Sequence, residues 1–259
     1  MAAIDVHDAG EGIPVVLLHG LTATHRYVVM GSRALERSGH RVIAYDARGH
    51  GASDPAEPYD YPALAADLLR VLDERGIDGA VLAGASMGAH TIARFALDHP
   101  ARVRAAVFIT PAYEPASFPG DLVRWDALAD GLARGGVEGF VEAYGPITGP
   151  WAETTEKVIR QRLSMHEHPE AVAQALRQVP RSRPFEALEE LGAIAAPTVV
   201  VASRDEADPG HPLAVGEAWA ATIPGARLVV EEAGSSPIAW QGGQLSRVIG
   251  EAAARQESR

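Results

Sequence analysis

The chain of 259 residues contains no cysteine. Disulfides, thiolate nucleophiles and cysteine-ligated metals are therefore excluded. Basic residues are outnumbered, with Lys+Arg 23 against Asp+Glu 34 and a net charge of −11. No basic block could track a phosphate backbone, so nucleic acid is not an expected partner. The same acidity argues against an anionic membrane surface. The sequence also lacks any run of about 18 uninterrupted apolar residues, and it opens without the basic start and apolar stretch of a secretory signal. The expected location is the cytoplasm, with no membrane partner. What is present is 47% hydrophobic residues, enough for a sizeable core in one large domain or two small ones.

Short apolar runs alternate with helical patterns, which is the signature of parallel strands joined by crossover helices. Strands are predicted at 14–18, 42–45, 80–83, 105–109, 198–202 and 227–230, several too uniformly apolar to have a wet face. Leu64, Leu68, Val71 and Leu72 stand at i, i+4, i+7 and i+8, after an Asp60 cap and Pro62 and before Gly76. That spacing predicts one amphipathic helix. Further helices are expected at about 87–98 and after Gln241. No strand pattern occurs over 111–191, where Trp125, Phe140, Tyr144 and Trp151 lie among helical stretches broken at Gly135-Gly136, Gly145-Pro146 and Gly149-Pro150. The division predicted is an α/β core over 1–112 and 191–259, carrying a helical insertion over 113–190. Such an insertion serves either as a lid and pocket wall or only as a second helical layer. Its aromatic residues suit an apolar or peptide-like ligand, or simply the insertion's own core.

The strongest local signal is Gly84-Ala85-Ser86-Met87-Gly88, where an apolar strand gives way to a helix. Glycines on either side let strand and helix approach closely, and the serine hydroxyl is presented at the carboxyl end of the sheet. His19-Gly20-Leu21 follows the first predicted strand, and Tyr45-Asp46-Ala47-Arg48-Gly49-His50-Gly51-Ala52-Ser53 follows the second. In this order the motifs resemble the α/β-hydrolase superfamily, over about 12–112 and again over about 190–250. The resemblance implies an α/β-hydrolase fold, a mostly parallel sheet with helices on both faces and a helical cap. It also implies a nucleophile at Ser86 and an oxyanion hole from the backbone N–H groups of Leu21 and Met87, beside His19 and Gly20. The triad acid is expected after a late strand, where Asp205 matches and Asp208 is second choice. Both aspartates could equally cap a turn before Pro209-Gly210. His19 and His50 could tie tight turns together through ring hydrogen bonds, the reading preferred for His50.

One member is missing from its usual place. The superfamily's histidine follows the last strand, where this chain reads Glu232-Ala233-Gly234-Ser235-Ser236-Pro237, with Ser235 in the histidine's position. No histidine occurs beyond His211. A hydroxyl cannot shuttle a proton near neutral pH as imidazole does, and loss of the base costs a serine triad about 10⁶-fold in turnover. Three readings follow. The first is proton transfer beside a carbonyl without acylation of Ser86, epimerase- or isomerase-like, since an oxyanion hole also stabilises an enolate. In this the chain resembles the atypical α/β-hydrolase-fold proteins of natural-product pathways, such as the epimerase of bottromycin biosynthesis. The second is a serine hydrolase whose base is His211 in Asp208-Pro209-Gly210-His211-Pro212, although the flanking prolines favour a surface turn there; His90 is a weaker candidate. The third is a binding pocket without turnover, natural or left by replacement of the histidine. The first is the expectation adopted, on a peptide or small-molecule substrate, with no cofactor. His166 and His168 are expected to be exposed at a helix end, and their i, i+2 spacing makes a metal site there unsuited.

Overall fold

The computed structural model describes residues 2–149, 151–204, 208, 210–232 and 240–256. Its strands are β1 (Val6–Ala9), β2 (Ile13–Leu18), β3 (His40–Tyr45), β4 (Ala80–Ala85), β5 (Val103–Ile109), β6 (Thr198–Ala202) and β7 (Arg227–Val230). They form one sheet in the order β1-β3-β2-β4-β5-β6-β7. β1 runs antiparallel to β3, and the remaining neighbours pair in parallel. The six strands expected from apolar runs are all present. β1 was not anticipated: its Val-His-Asp-Ala sequence is half-exposed and polar at an edge, so it carries no apolar run to read.

The helices are α1 (Ala34–Arg37), α2 (Tyr61–Glu74), α3 (Met87–Asp98), α4 (Leu122–Tyr144), α5 (Ala152–Leu163), α6 (Pro169–Gln178), α7 (Leu213–Thr222) and α8 (Gly242–Gln256). Asp60 caps α2 as its sequence predicts, its carboxylate accepting from the Ala63 N–H at 2.8 Å. Alternation along the strands separates two apolar layers. Val16 and Leu18 join Leu68, Leu72, Ile92, Phe95 and Trp219 under α2, α3 and α7. Val15 and Leu17 join Leu35, Leu245 and Ile249 under α1 and α8. Central strands thus have both faces covered, which is why their sequences are apolar at every position.

The segment between β5 and β6 is helical throughout its regular elements, as expected. α4 kinks at Gly136 (φ 59°, ψ −143°), where the Gly135-Gly136 pair predicts an interruption. The insertion has its own core around Leu128, Leu132, Phe140, Leu163 and Leu176. Phe140 is therefore a core residue, whereas Trp151 is exposed. A further cluster joins Ala171, Ala175 and Val179 of the insertion to Tyr59, Tyr61, Leu64 and Met87 of the sheet domain. No helix among the described residues is long and apolar enough to cross a membrane.

Candidate active site

Ser86 occupies the turn between β4 and α3 with φ 50° and ψ −113°, a left-handed conformation that a side chain adopts at a cost. Close packing imposes it. A Cβ on Gly88 would lie 2.2 Å from the Leu18 carbonyl oxygen, and one on Gly84 would lie 2.5 Å from the backbone of Gly88. The strand and helix meet at a separation only glycine permits, and the serine between them is turned out of both elements. The Ser86 N–H donates to the Ile109 carbonyl at 2.9 Å, which anchors the turn to β5.

An imidazole meets this hydroxyl. His211 Nε2 lies 2.9 Å from Ser86 Oγ, and His211 Nδ1 lies 2.8 Å and 2.9 Å from the two carboxylate oxygens of Asp208. A carboxylate has no proton to give, so Nδ1 donates to it and Nε2 is left with the lone pair that accepts from the Ser86 hydroxyl. Asp208 and His211 come from one turn, closed by the His211 N–H donating to the Asp208 carbonyl at 3.1 Å. That turn lies in the loop between β6 and α7 and is partly open to solvent, with the two side chains 31% and 26% exposed. His211 is thus not the idle surface turn its prolines suggest. Asp208, the second choice, is the carboxylate that holds it. The first choice, Asp205, and the serine in the expected histidine's place, Ser235, lie outside the described residues.

Of the expected oxyanion donors, Met87 directly follows Ser86. The N–H of Met87 opens α3 and so has no acceptor within that helix. Gly20, which precedes Leu21, is pressed against the elbow, since a Cβ there would meet Ser86 Cβ and the Ala85 carbonyl oxygen at 3.4 Å. His19 does not line the site as a free group. Its Nε2 accepts from the Ala47 N–H at 2.9 Å and its Nδ1 donates to the Gly20 carbonyl at 2.8 Å, so the ring ties the loop after β2 to the loop after β3. Burial holds its pKa down to about 4, which keeps it the neutral tautomer those two bonds require.

The other histidines are structural in the same sense. His50 packs between the rings of His19 and His166, with centroids at 5.2 Å and 5.5 Å, and donates Nδ1–H to the Arg48 carbonyl. His90 accepts at Nε2 from the amides of Ala112 and Tyr113 and gives its Nδ1 proton to Tyr61, buried beneath the elbow with a pKa lowered to about 3 by burial. It is therefore no candidate base. His166 corrects the expectation of exposure: it is buried, accepts from the Gly51 N–H at 2.8 Å and donates to the Thr22 carbonyl at 3.0 Å. It stands between Met165 and Glu167 at a helix end, where no apolar periodicity betrays its burial. Among the described residues, Asp5, His25 and Asp46 bring metal-type ligand atoms within 4.8 Å of one another, and His25 already hydrogen-bonds Asp46 at 3.0 Å.

A serine held at a strained elbow, an imidazole on its hydroxyl and a carboxylate behind the imidazole match the site class of the α/β-hydrolase enzymes. Comparison with known proteins agrees. Residues 13–143 match the family model described as the alpha/beta hydrolase fold. RutD of Variovorax paradoxus (strain S110), named provisionally for carbamate hydrolysis, is 32% identical over 208 residues, which cover 78% of this chain and 77% of RutD. The sn-1-specific diacylglycerol lipase ABHD11 of Xenopus tropicalis is 39% identical over 112 residues, covering 42% of this chain but only 35% of the lipase. A thermophilic esterase from Thermogutta terrifontis superposes with a TM-score of 0.79 at 25% identity over 98% of this chain and 94% of its own. The chain belongs to the α/β-hydrolase fold family.

Proposed function

We propose that the protein is a serine hydrolase acting on carboxylic esters, with Ser86 as nucleophile, His211 as base and Asp208 as the acid that orients it. The observation that carries this reading is the 2.9 Å approach of His211 Nε2 to Ser86 Oγ with Asp208 on the other ring nitrogen. In the first step the Ser86 oxygen attacks the ester carbonyl while its proton passes to His211 Nε2, and Asp208 stabilises the imidazolium. The oxygen that becomes negative is met by the amides of Leu21 and Met87, each such donor being worth about 3–4 kcal/mol of barrier. His211 then returns the proton to the departing alcohol. Water, deprotonated by the same ring, releases the acid from Ser86.

Proton transfer without acylation, as an epimerase or isomerase of a natural-product pathway, was the expectation drawn from the empty histidine position. Its motive was the lack of an imidazole at Ser86, and His211 supplies one. Relatives named for carbamate hydrolysis, lipolysis and chloroperoxidation support the hydrolase reading over epimerisation. RutD's name and the Thermogutta esterase extend the support to acyl-transfer chemistry at the level of class. A fluorophosphonate probe is expected to label the protein once per chain, with mass spectrometry placing the adduct on Ser86 and Ser86→Ala abolishing it. A protein that stays unlabelled while folded would refute the reading.

A further inference from the structure

The turn that carries Asp208 and His211 is tied back to Arg204, which stands just beyond β6, because the Asp208 N–H donates to the Arg204 carbonyl at 3.0 Å. Arg204 is held in turn by Glu231, the first residue after β7. Its N–H donates to a Glu231 carboxylate oxygen, and its Nε–H donates to the Glu231 carbonyl at 3.2 Å. β6 and β7 pair as far as Ala202 and Val230, so these two bonds prolong the join where the strand ladder stops. A chain of contacts thus runs from Glu231 through Arg204 and Asp208 to His211 Nδ1, and from His211 Nε2 to Ser86.

Glu231 is buried, whereas Glu232 beside it is exposed. Of the other buried carboxylates, Asp46 meets the His25 ring and Asp67 pairs with Arg48 and Arg70. Among the described residues the Glu231 side chain has no such cation, and its second oxygen has no hydrogen-bond partner. A carboxylate enclosed at that cost keeps its place through a strong contact, and a charge-assisted bond to a backbone N–H is one. Here that N–H belongs to the residue on which the Asp208 turn closes. We infer that Glu231 is a positioning residue of the Ser86 site: by holding Arg204 it fixes Asp208, and with it the His211 ring, against the nucleophile. This rests on the hydrolase reading and adds a group to the same site. Among the described residues its bonds reach neither His211 nor Ser86, so its effect passes through the turn. A misplacement of about 1 Å at a catalytic group can cost about 10²-fold in rate, which gives a remote anchor of this kind its weight.

The test uses p-nitrophenyl acetate. Glu231→Ala should lower kcat about 10- to 100-fold, with KM within about twofold of wild type. Glu231→Asp keeps the charge but stops one methylene short of the Arg204 N–H, and should behave as Glu231→Ala does. Glu231→Gln keeps the reach and an acceptor oxygen, and should recover kcat to within about fivefold of wild type. In a His211→Ala background, Glu231→Ala should change kcat less than about twofold, since a residue acting through His211 has nothing left to place. A wild-type kcat in Glu231→Ala, or an undiminished fall in the His211→Ala background, would overturn the assignment. Where Glu231→Ala does not fold, Glu231→Asp as active as Glu231→Gln overturns it. A second measurement needs no turnover: heteronuclear NMR of isotope-labelled histidines in mildly alkaline buffer should place the His211 proton on Nδ1 in the wild type and shift it toward Nε2 in Glu231→Ala. Ester hydrolysis and Ser86 labelling with both readouts unmoved by Glu231→Ala defeat the positioning role alone. A tautomer that follows Glu231, without labelling of Ser86 or ester turnover, defeats the hydrolase reading alone.

Discussion

His19 and His90 show what burial does to a single titratable group. Each is enclosed, each uses one ring nitrogen as an acceptor of backbone N–H, and each is kept neutral, with pKa values held near 4 and 3. An unfolded histidine titrates near 6.5. The native state therefore binds fewer protons than the unfolded chain once the pH drops below that value. Stability from both groups is full above about pH 6.5 and is lost progressively down to about pH 4 for His19 and pH 3 for His90, where the His19 loss amounts to about 3 kcal/mol. Asp46 behaves in the same direction further down. Burial raises its pKa, but hydrogen bonds from His25 outweigh this and hold it at about 2, so its contribution is lost as the pH falls below the ordinary carboxylate range. His25, raised by Asp46, works the other way, stabilising at low pH and less as the pH rises past its own pKa. It is a single, half-exposed ring against two enclosed ones. The urea midpoint is accordingly expected to fall steadily between pH 7 and pH 4.5; a midpoint constant or rising over that interval would contradict the assignment of His19 and His90 as buried neutral rings.

Single residues were unevenly legible. Ser86 was readable because its glycines, its strand and its helix all lie within a dozen positions. The base was harder. His211 follows Asp208 by only three residues between prolines, a pattern that local chemistry assigns to a turn, and a turn is indeed what forms. What no local pattern reveals is that this turn lies across the sheet from Ser86, 125 positions away in sequence, at hydrogen-bonding distance. The sequence has no histidine after β7, whereas the imidazole that meets Ser86 follows β6.

At the level of elements, the site is a consequence of the β4–α3 junction. β4 is central and apolar on both faces, α3 begins two residues after it ends, and β2 passes so close that the Leu18 carbonyl oxygen occupies the space a Gly88 side chain would need. Gly88→Ala places a methyl 2.2 Å from that oxygen, so either the helix or the strand must yield. The expected outcome is a loss of roughly 3 kcal/mol, read as a melting temperature lower by about 5–10 °C, together with loss of fluorophosphonate labelling as the elbow relaxes. A variant with wild-type melting and labelling would show that the turn is not set by this contact. The strands were legible as elements because buried parallel strands announce themselves by continuous apolar runs. β1 was not, since at an exposed edge its side chains need not be apolar.

On the scale of the whole molecule, the insertion and the sheet domain meet through an apolar cluster of Ala171, Ala175 and Val179 with Tyr59, Tyr61, Leu64 and Met87, and through hydrogen bonds. His166 bridges them: its ring receives the Gly51 N–H and donates to the carbonyl of Thr22, which follows Leu21 and itself takes a left-handed φ of 69°. Removing the ring strands a buried donor and a buried acceptor, at about 1–3 kcal/mol each, and frees the segment that carries the Leu21 amide. His166→Ala is expected to lower stability by about 2–4 kcal/mol and to reduce kcat about tenfold or more with a smaller change in KM, while His166→Gln, which can both accept and donate, restores part of both. Equal activity in His166→Ala would separate the insertion from the chemistry. The helical character of the insertion could be read from the sequence, but its attachment through His166 could not, because a long-range hydrogen bond leaves no periodic trace.

The proposed role of His211 as the base for Ser86 is decided by steady-state and pre-steady-state hydrolysis of an activated p-nitrophenyl ester by the wild-type protein and by His211→Ala. A burst of one p-nitrophenolate per chain is expected in the wild type, with a fall in kcat of about 10⁴- to 10⁶-fold in a His211→Ala protein that melts as the wild type does. Turnover within tenfold of wild type in that variant would contradict it.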